Sequence, residues 1–186
     1  QRATTGAGLI YRFLSQTGQI LFGANVFFDH AAGGDLDRGS IGFDIQGKHI
    51  GFAANYYTPL SDWSQNRFGF DERAASGWDS ELLGRTESLP SWRASLKGYE
   101  WNDQNKNSDL FGVLAKLEYA PVPALAFHVG GRDESQADAA LEAGLRLRWD
   151  FDKSAADQWS PRTSLPSLGD MARNSARRES IMRVAQ

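Results

Sequence analysis

The sequence predicts an all-β protein, an antiparallel transmembrane β-barrel in which about nine strands are recognisable. The first observation is alternation: in the hairpin-like stretch at 20–45, apolar residues such as Phe22 and Val26 alternate with polar residues such as Asn25. Because neighbouring side chains of a strand point to opposite faces, each such strand has one apolar and one polar side. The second is an alternation of short and long connections, and the third is a set of aromatic residues near the strand ends.

The composition is compatible with this fold class. The chain has 186 residues, no cysteine and a formal net charge of −3, so it has no disulfide framework and does not resemble a nucleic-acid-binding protein. It contains no apolar run long enough for a transmembrane helix. A membrane-spanning strand needs only about 9–11 residues, half of which face a polar interior, so its hydropathy is weak.

Nine segments show the strand pattern. They are approximately 7–15, 19–29, 39–47, 49–60, 77–86, 92–101, 110–120, 124–132 and 138–151. The last has the clearest alternation, with Leu141, Leu145 and Trp149 on one face and Glu142 and Arg146 on the other. A charged face of this length indicates contact with water on that side.

The connections between these segments also alternate. Short connections follow Gly47, Glu87 and Ala120, whereas longer polar ones are predicted at 30–38, 61–76, 102–109 and 133–137. Period-two alternation alone permits either a soluble sandwich or a membrane barrel. Short turns at one end and long loops at the other are typical of outer-membrane barrels, and therefore favour the barrel.

In a barrel, the polar faces of these strands would line the lumen. The predicted lumen-facing residues are Asp79, Glu81, Arg85, Lys97, Lys116, Glu118, Glu142, Arg146, Arg148 and Asp150. Mixed charges in a small lumen would pair across strands or hold a plug, because an unpaired buried charge is costly. A purely structural polar interior remains the alternative for each single residue.

Beyond Asp152 the strand pattern stops. We predict a barrel domain at 1–152 and a linker at 153–186, whose basic end has a short helix after Asp170 as N-cap. Four arginines of this end, Arg173, Arg177, Arg178 and Arg183, complement the carboxylates of the predicted lumen face. We expect the first three to lie near lumen carboxylates such as Glu81, Glu118 and Glu142. A solvated tail is the alternative.

No residue pattern predicts catalysis, a cofactor or a metal site. The three histidines have no partner at metal-binding spacing, and His128 is expected in the lumen or at an interface. The carboxylate pairs Asp71–Glu72 and Asp133–Glu134 are interpreted as solvated loop charges, because their spacing matches no calcium loop. Without a nucleophile–base pair, the sequence favours a protein that is not an enzyme.

Several motifs together resemble one family. GANVFFD followed by IGFD, then NYYTPLSDW, DERAASGWD, LPSWRASLKGYEWND, LEYAPVPALAFHVGGRD and GLRLRWDFD occur in order. They resemble the inverse autotransporter β-domain, the outer-membrane barrel of intimin- and invasin-type adhesins. The resemblance implies a twelve-stranded barrel in the bacterial outer membrane, contact with its lipid, and a signal at Trp149 and Phe151 for the barrel-assembly machinery. It also implies that the chain after the last strand returns through the lumen towards an adhesive passenger.

The resemblance implies an anchor that holds or exports a C-terminal segment. Nine recognisable strands are three fewer than the family has, so the missing strands must be absent from this chain, supplied by a partner chain, or unnecessary in a smaller barrel. Two other functions are therefore considered: a barrel-derived structural subunit of a larger membrane assembly, and a small porin-like channel.

Overall fold

A computed structural model of the chain describes residues 3–32, 36–66, 68–102, 109–174, 176–179 and 182–185. Three parts of the predicted loops, at 33–35, 67 and 103–108, lie outside the described residues. The strands are β1 (Thr4–Leu14), β2 (Leu21–Ala31), β3 (Leu36–Gln46), β4 (Ile50–Pro59), β5 (Ser64–Gln65), β6 (Asp71–Ala74), β7 (Ser76–Gly84), β8 (Trp92–Asn102), β9 (Leu110–Val122), β10 (Leu125–Glu134), β11 (Ala137–Leu147) and β12 (Val184–Ala185). Two short helices precede β12: α1 (Ala155–Trp159) and α2 (Leu168–Ala172).

Nine of the strands form one antiparallel sheet, in the order β1-β2-β3-β4-β7-β8-β9-β10-β11. Every neighbour in this order is antiparallel, and each strand lies within a few residues of its predicted segment. The prediction of an all-β antiparallel fold is therefore confirmed. Among the described residues, β1 pairs only with β2, and β11 pairs only with β10, so both remain edge strands.

The nine-stranded sheet wraps around the C-terminal residues. Arg12 of β1 and Arg148, which directly follows β11, both donate a hydrogen bond to Asn174. In a flat sheet, eight strand spacings would place β1 and β11 roughly 38 Å apart. Because two arginine side chains reach the same residue from the two edges, the sheet must curl. We call the space that it surrounds the lumen.

The distribution of polar and apolar side chains is inverted relative to a water-soluble protein. Arg38 and Asp29 are buried on the lumen side, with relative exposures of 0% and 1%. Large apolar residues cover the outside, among them Ile41 at 62% and Leu141 at 89% exposure. So large an exposed apolar surface is unfavourable in water and is satisfied in lipid. The wrapped sheet therefore has the surface of a membrane-spanning domain.

No helix among the described residues is long and apolar enough to cross a membrane.

The two ends of the sheet differ, although less regularly than predicted. Three of the connections at one end, which we call the short-turn end, are 47–49, 85–91 and 123–124. At the opposite, long-loop end, the connection at 60–75 contains β5 and β6. The prediction of a long loop at 133–137 is wrong, because β10 continues to Glu134 and only residues 135–136 turn the chain into β11.

The last long strand is shorter than its predicted segment, 138–151. β11 ends at Leu147, and the final ladder contact at this end is the hydrogen bond from the Arg148 N–H to the Ala124 carbonyl, 2.9 Å. The Asp150 N–H then binds the Gln158 side chain at 2.7 Å, which turns the chain towards α1. Trp149 and Phe151 therefore follow the strand, and both are exposed.

The linker has more structure than predicted. Ser154 caps α1, which the sequence did not predict, by accepting a hydrogen bond from the Asp157 N–H. Helix α2 begins after Ser167 and not after Asp170; Asp170 instead completes a capping box with Ser167. β12 joins β6 and β5 in a small second sheet.

Candidate functional site

The candidate site is the lumen together with the tail, which we define as residues 153–186. The tail starts at the short-turn end, where the Arg162 N–H binds the Pro121 carbonyl at 2.9 Å. It ends its described course at the long-loop end, where Val184 pairs with Ala74 of β6 and Ala185 pairs with Arg73. The tail thus runs through the lumen from one end to the other.

Residues 177–179 are held most extensively, and we call them the tail grip. The Arg177 guanidinium pairs with Glu81 of β7 at 2.9 Å. Two side chains of the sheet form hydrogen bonds with the backbone of the tail grip. Asn55 donates to the Arg177 carbonyl at 2.7 Å, and the Tyr57 hydroxyl accepts from the Glu179 N–H at 2.7 Å. Side chains of the sheet therefore replace the backbone partners that a regular strand would supply.

Glu179 adds two further contacts to the tail grip. Its carbonyl accepts a hydrogen bond from Arg38 at 2.9 Å, and its carboxylate lies 3.4 Å from the Lys97 ammonium. Lys97 also pairs with the buried Asp79 at 3.0 Å, and Asp79 accepts a hydrogen bond from Tyr57 at 2.8 Å. The same network thus connects the tail to β3, β4, β7 and β8.

The strongest single attachment is at Asp29 of β2. Arg178 donates to both of its carboxylate oxygens at 2.7 Å, and Arg38 donates to one of them at 2.8 and 3.2 Å. The Arg178 guanidinium also lies over the Phe27 ring, 4.0 Å from its centre. Gly6 of β1 leaves room for this arrangement, because a Cβ there would lie 2.3 Å from Asp29 Oδ1.

The long-loop end of the tail is held by charge, aromatic rings and apolar packing. Arg183 pairs with Glu134 at 2.9 Å and lies over the rings of Tyr99 and Trp101 at 5.0 and 5.8 Å. Apolar side chains pack around the β6–β12 pairing in two buried clusters: Tyr57, Ala75, Tyr99, Trp101 and Ala185 in one, and Ala31, Leu36, Ala74 and Met182 in the other. The end of the tail is therefore packed among buried apolar side chains.

The short-turn end of the tail is held by its backbone and by α2. Arg12 of β1 donates to the Ala172 carbonyl at 3.2 Å. Asp170 accepts hydrogen bonds from the Ser167 side chain at 2.7 Å and pairs with Lys153 at 3.3 Å. The hydrogen bond from Ser167 lowers the pKa of Asp170 below its usual range, and the contact with Lys153 lowers it further. Partial burial acts in the opposite direction but is the weaker effect.

The structure places the predicted lumen residues as follows. Arg177 contacts Glu81 as expected, but Arg178 pairs with Asp29, which was not among the expected partners. Among the described residues, Glu118 and Glu142 form their ion pairs with side chains of the sheet. Glu118 binds Arg93 at 2.7 Å and Arg146 at 2.6 Å, and Glu142 binds Lys116 at 3.0 Å.

The remaining predicted residues are less involved in holding the tail. Arg173 forms the C-cap of α2 and has no ion pair within the described part of the chain. Arg85 lies beside Met171, and its Nη1 is 2.7 Å from the Met171 sulfur. The Asp150 side chain accepts a weak local hydrogen bond from the Asp152 N–H at 3.3 Å.

Two carboxylates interpreted as solvated loop charges are not solvated. Glu72 is fully buried and accepts a hydrogen bond from Asn66 at 3.2 Å. Glu134 accepts from both Tyr99, at 2.5 Å, and Arg183. Glu72 lies in β6 of the long connection at 60–75, whereas Glu134 ends β10 and faces Tyr99 and Arg183, so both interpretations were wrong.

Sequence reasoning also missed several lumen residues of the first strands. They are Arg12, Asp29, Arg38, Asp44 and Asn55, together with Arg93. The signal was present, since Asp29 and Asp44 occupy the polar positions of two alternating strands. Applying the same period-two pattern to β1–β4 would have found the first five, and Arg93 lies on the same face of β8 as the predicted lumen residue Lys97.

The side chains of the site bind the tail through hydrogen bonds and ion pairs. Within the residues that the structure describes, no group of three or more histidine, aspartate or glutamate side chains is placed to hold a metal ion. His128 lines the lumen.

The comparisons with known proteins agree with this geometry. Residues 1–180 match the profile described as "Inverse autotransporter, beta-domain". The chain is 28% identical over 170 residues to "Intimin" of Escherichia coli O157:H7, covering 86% of this chain and 18% of that protein. It is 27% identical to "Inverse autotransporter adhesin YeeJ" of Escherichia coli strain K12, covering 87% of this chain and 7% of that protein.

A solved structure has the same fold. Titled "Unveiling the Mechanism Behind the in-meso Crystallization of Membrane Proteins", it superposes with a TM-score of 0.90 at 24% identity, covering 99% of this chain and 80% of that chain. The present chain spans less than a fifth of the length of the curated relatives named above.

Proposed function

Because this chain belongs to the inverse autotransporter β-domain family, an outer-membrane anchor of adhesin type, we propose that it also exports the segment following its tail through the lumen. The family assignment confirms the resemblance found in the sequence, and it places the chain in the bacterial outer membrane. The export role goes one step further and rests on the tail.

The observation that supports export is the path of the tail. It enters at the short-turn end and reaches the long-loop end, so whatever follows residue 186 continues from that side. The tail grip fixes this path, because Arg177 pairs with Glu81 of β7 and Arg178 pairs with Asp29 of β2. An anchor that holds its C-terminal segment in this direction has the geometry needed to present a passenger outside the membrane.

The edge strands favour one alternative function, a structural subunit in a larger assembly. β1 and β11 each have one unpaired side among the described residues, and unpaired backbone groups in lipid cost several kcal/mol each. Further strands from the same protein or from a partner chain would satisfy them. We propose that 1–152 is the membrane domain in either case, with 153–186 as its tail and the barrel-assembly machinery as a partner.

A porin-like channel is less well supported, because the tail occupies the lumen. In that alternative, the tail would lie outside the pore. Deleting residues 166–186 should raise the single-channel conductance if the tail fills the lumen. An unchanged conductance would mean that the tail does not obstruct the pore.

Surface labelling tests the export proposal. An epitope is inserted after residue 186 of the full-length protein in an outer-membrane bacterium, and a matched epitope is inserted at Lys48 in the short turn 47–49. We expect antibody to label the first epitope on intact cells, and the second only after the outer membrane is permeabilised. Labelling of the first epitope only after permeabilisation would contradict export.

A further inference from the structure

A group of arginines towards the short-turn end of the lumen has more positive charge than its partners neutralise. A cavity of about 1560 Å³ remains between the tail and the surrounding sheet. Ten arginines line it, and we call five of these the arginine cluster: Arg85, Arg93, Arg146, Arg162 and Arg177. They come from β7's end, β8, β11 and two parts of the tail.

Two carboxylates pair with members of the arginine cluster. Glu81 binds Arg177, and Glu118 is shared between Arg93 and Arg146. Within the part of the chain that the structure describes, neither Arg85 nor Arg162 forms an ion pair with a carboxylate. The cluster and its two partners therefore have an excess of three positive charges.

Hydrogen-bonding groups of the arginine cluster are also unused. The Nε atoms of Arg85 and Arg162 are buried and have no acceptor among the described residues. The other Arg85 donors reach only the Met171 sulfur at 2.7 Å and Gln46 at 3.4 Å. Burial, together with the charges of Arg177 and Arg93, lowers the pKa of Arg85 to about 10. Buried polar groups usually have hydrogen-bond partners, so these donors are available to a ligand in the cavity.

We infer that the arginine cluster binds a phosphate-bearing anion within the lumen. A phosphate group offers several acceptor oxygens to the planar forks of neighbouring guanidinium groups, and Arg–phosphate contacts are frequently bidentate. A diphosphate also supplies enough negative charge to offset an excess of three. The arginine cluster shares Arg177 with the tail grip, and the inference does not rest on the proposed export.

Isothermal titration calorimetry with inorganic pyrophosphate tests this inference directly. The full-length protein is held in a maltoside detergent, which carries no phosphate, at constant ionic strength. The test variant is R85Q/R162Q. The matched control is K48Q/R73Q, which removes the same two charges outside the arginine cluster. We expect saturable binding by the wild type and the control, and at least tenfold weaker binding by R85Q/R162Q.

A second variant keeps the test informative if R85Q/R162Q does not fold. R85K/R162K retains the charges but lacks the forked donors, so we expect it to bind pyrophosphate with intermediate affinity. Equal binding of pyrophosphate by the wild type and all variants would overturn the inference. It would also be overturned if the wild type showed saturable binding neither to pyrophosphate nor to a soluble lipid phosphate. Soluble dihexanoylphosphatidic acid distinguishes the sources: stronger binding than pyrophosphate indicates a lipid phosphate, and weaker binding indicates a free anion.

Discussion

Substituting Asp29→Asn should destabilise the fold far more than the loss of a surface charge in the β2–β3 hairpin. Asp29 is 1% exposed and accepts four hydrogen bonds, two from Arg38 and two from Arg178. Asparagine removes the negative charge between two guanidinium groups, one of which is itself fully buried. It therefore leaves both cations without their main partner.

The magnitude follows from the burial of these groups. Removing one partner of a buried ion pair costs about 3–5 kcal/mol, because the remaining charge stays desolvated. The matched control is Asp37→Asn in the same hairpin, which pairs with His30 at 2.9 Å but has a side chain 34% exposed. A surface pair of this kind contributes about 0–1 kcal/mol. The expected difference of about 3 kcal/mol is roughly 100-fold in the unfolding equilibrium.

Urea unfolding of the two variants in lipid vesicles, followed by tryptophan fluorescence, measures this difference. Limited proteolysis of the folded proteins measures release of the tail, which we expect to increase in the Asp29→Asn variant alone. If the two variants unfold at the same urea concentration and protect the tail equally, then Asp29 does not hold the tail, and the reasoning is refuted.

Two other predictions concern the lipid face and α2. Ile41→Arg, at the centre of β3 on the outer face, should lower the free energy of unfolding in vesicles by about 2–4 kcal/mol. Ile45→Arg, near the end of the same strand, should lower it by about 0–1 kcal/mol. Equal losses would mean that the strand does not cross the membrane as described. Because the folded-state pKa of Asp170 lies below its unfolded value of 3.8, its carboxylate stabilises α2 above that pH, and the effect is lost as the pH falls through the folded pKa. The protection factors at residues 167–173, which are exchange rates corrected for the intrinsic pH dependence of amide exchange, should therefore fall on acidification in the wild type but much less in Asp170→Asn. Identical protection factors in the two proteins at every pH would show that this capping box contributes nothing.

The order and approximate bounds of the nine long strands follow from the sequence because period-two alternation is a local property. The end of β11 does not follow from that pattern. Apolar and polar residues continue to alternate through Phe151, but the strand stops at Leu147, beyond which the Asp150 N–H binds Gln158. A hydrogen bond to a residue eight positions ahead competes with the strand and is not visible in the alternation.

The pairing of the lumen charges was less predictable than their positions. Asp29 and Arg178 are 149 residues apart, and only the wrapping of the sheet brings them to 2.7 Å. Glu118 of β9 would satisfy an arginine of the tail equally well by charge, but it is bound by Arg93 of the neighbouring β8 and by Arg146 of β11, two strands away. Alternation identifies which face a side chain occupies, whereas the curvature of the sheet decides its partner.

Disulfide cross-linking tests the central claim, that the tail traverses the lumen and reaches the long-loop end. The chain has no cysteine, and Val184 lies directly opposite Ala74 in the β6–β12 pairing. The neighbouring Ala75 N–H binds the Arg183 carbonyl at 2.9 Å, so Val184 and Ala74 form a non-hydrogen-bonded pair. Such pairs have Cα atoms about 4.5 Å apart, which is within disulfide range.

The test uses V184C/A74C in the full-length protein in native outer membranes, with V184C/T86C at the short-turn end as the control. We predict rapid disulfide formation in V184C/A74C and none in the control. Cross-linking to the cysteine at position 86, or to neither position, would contradict a tail that passes through the lumen.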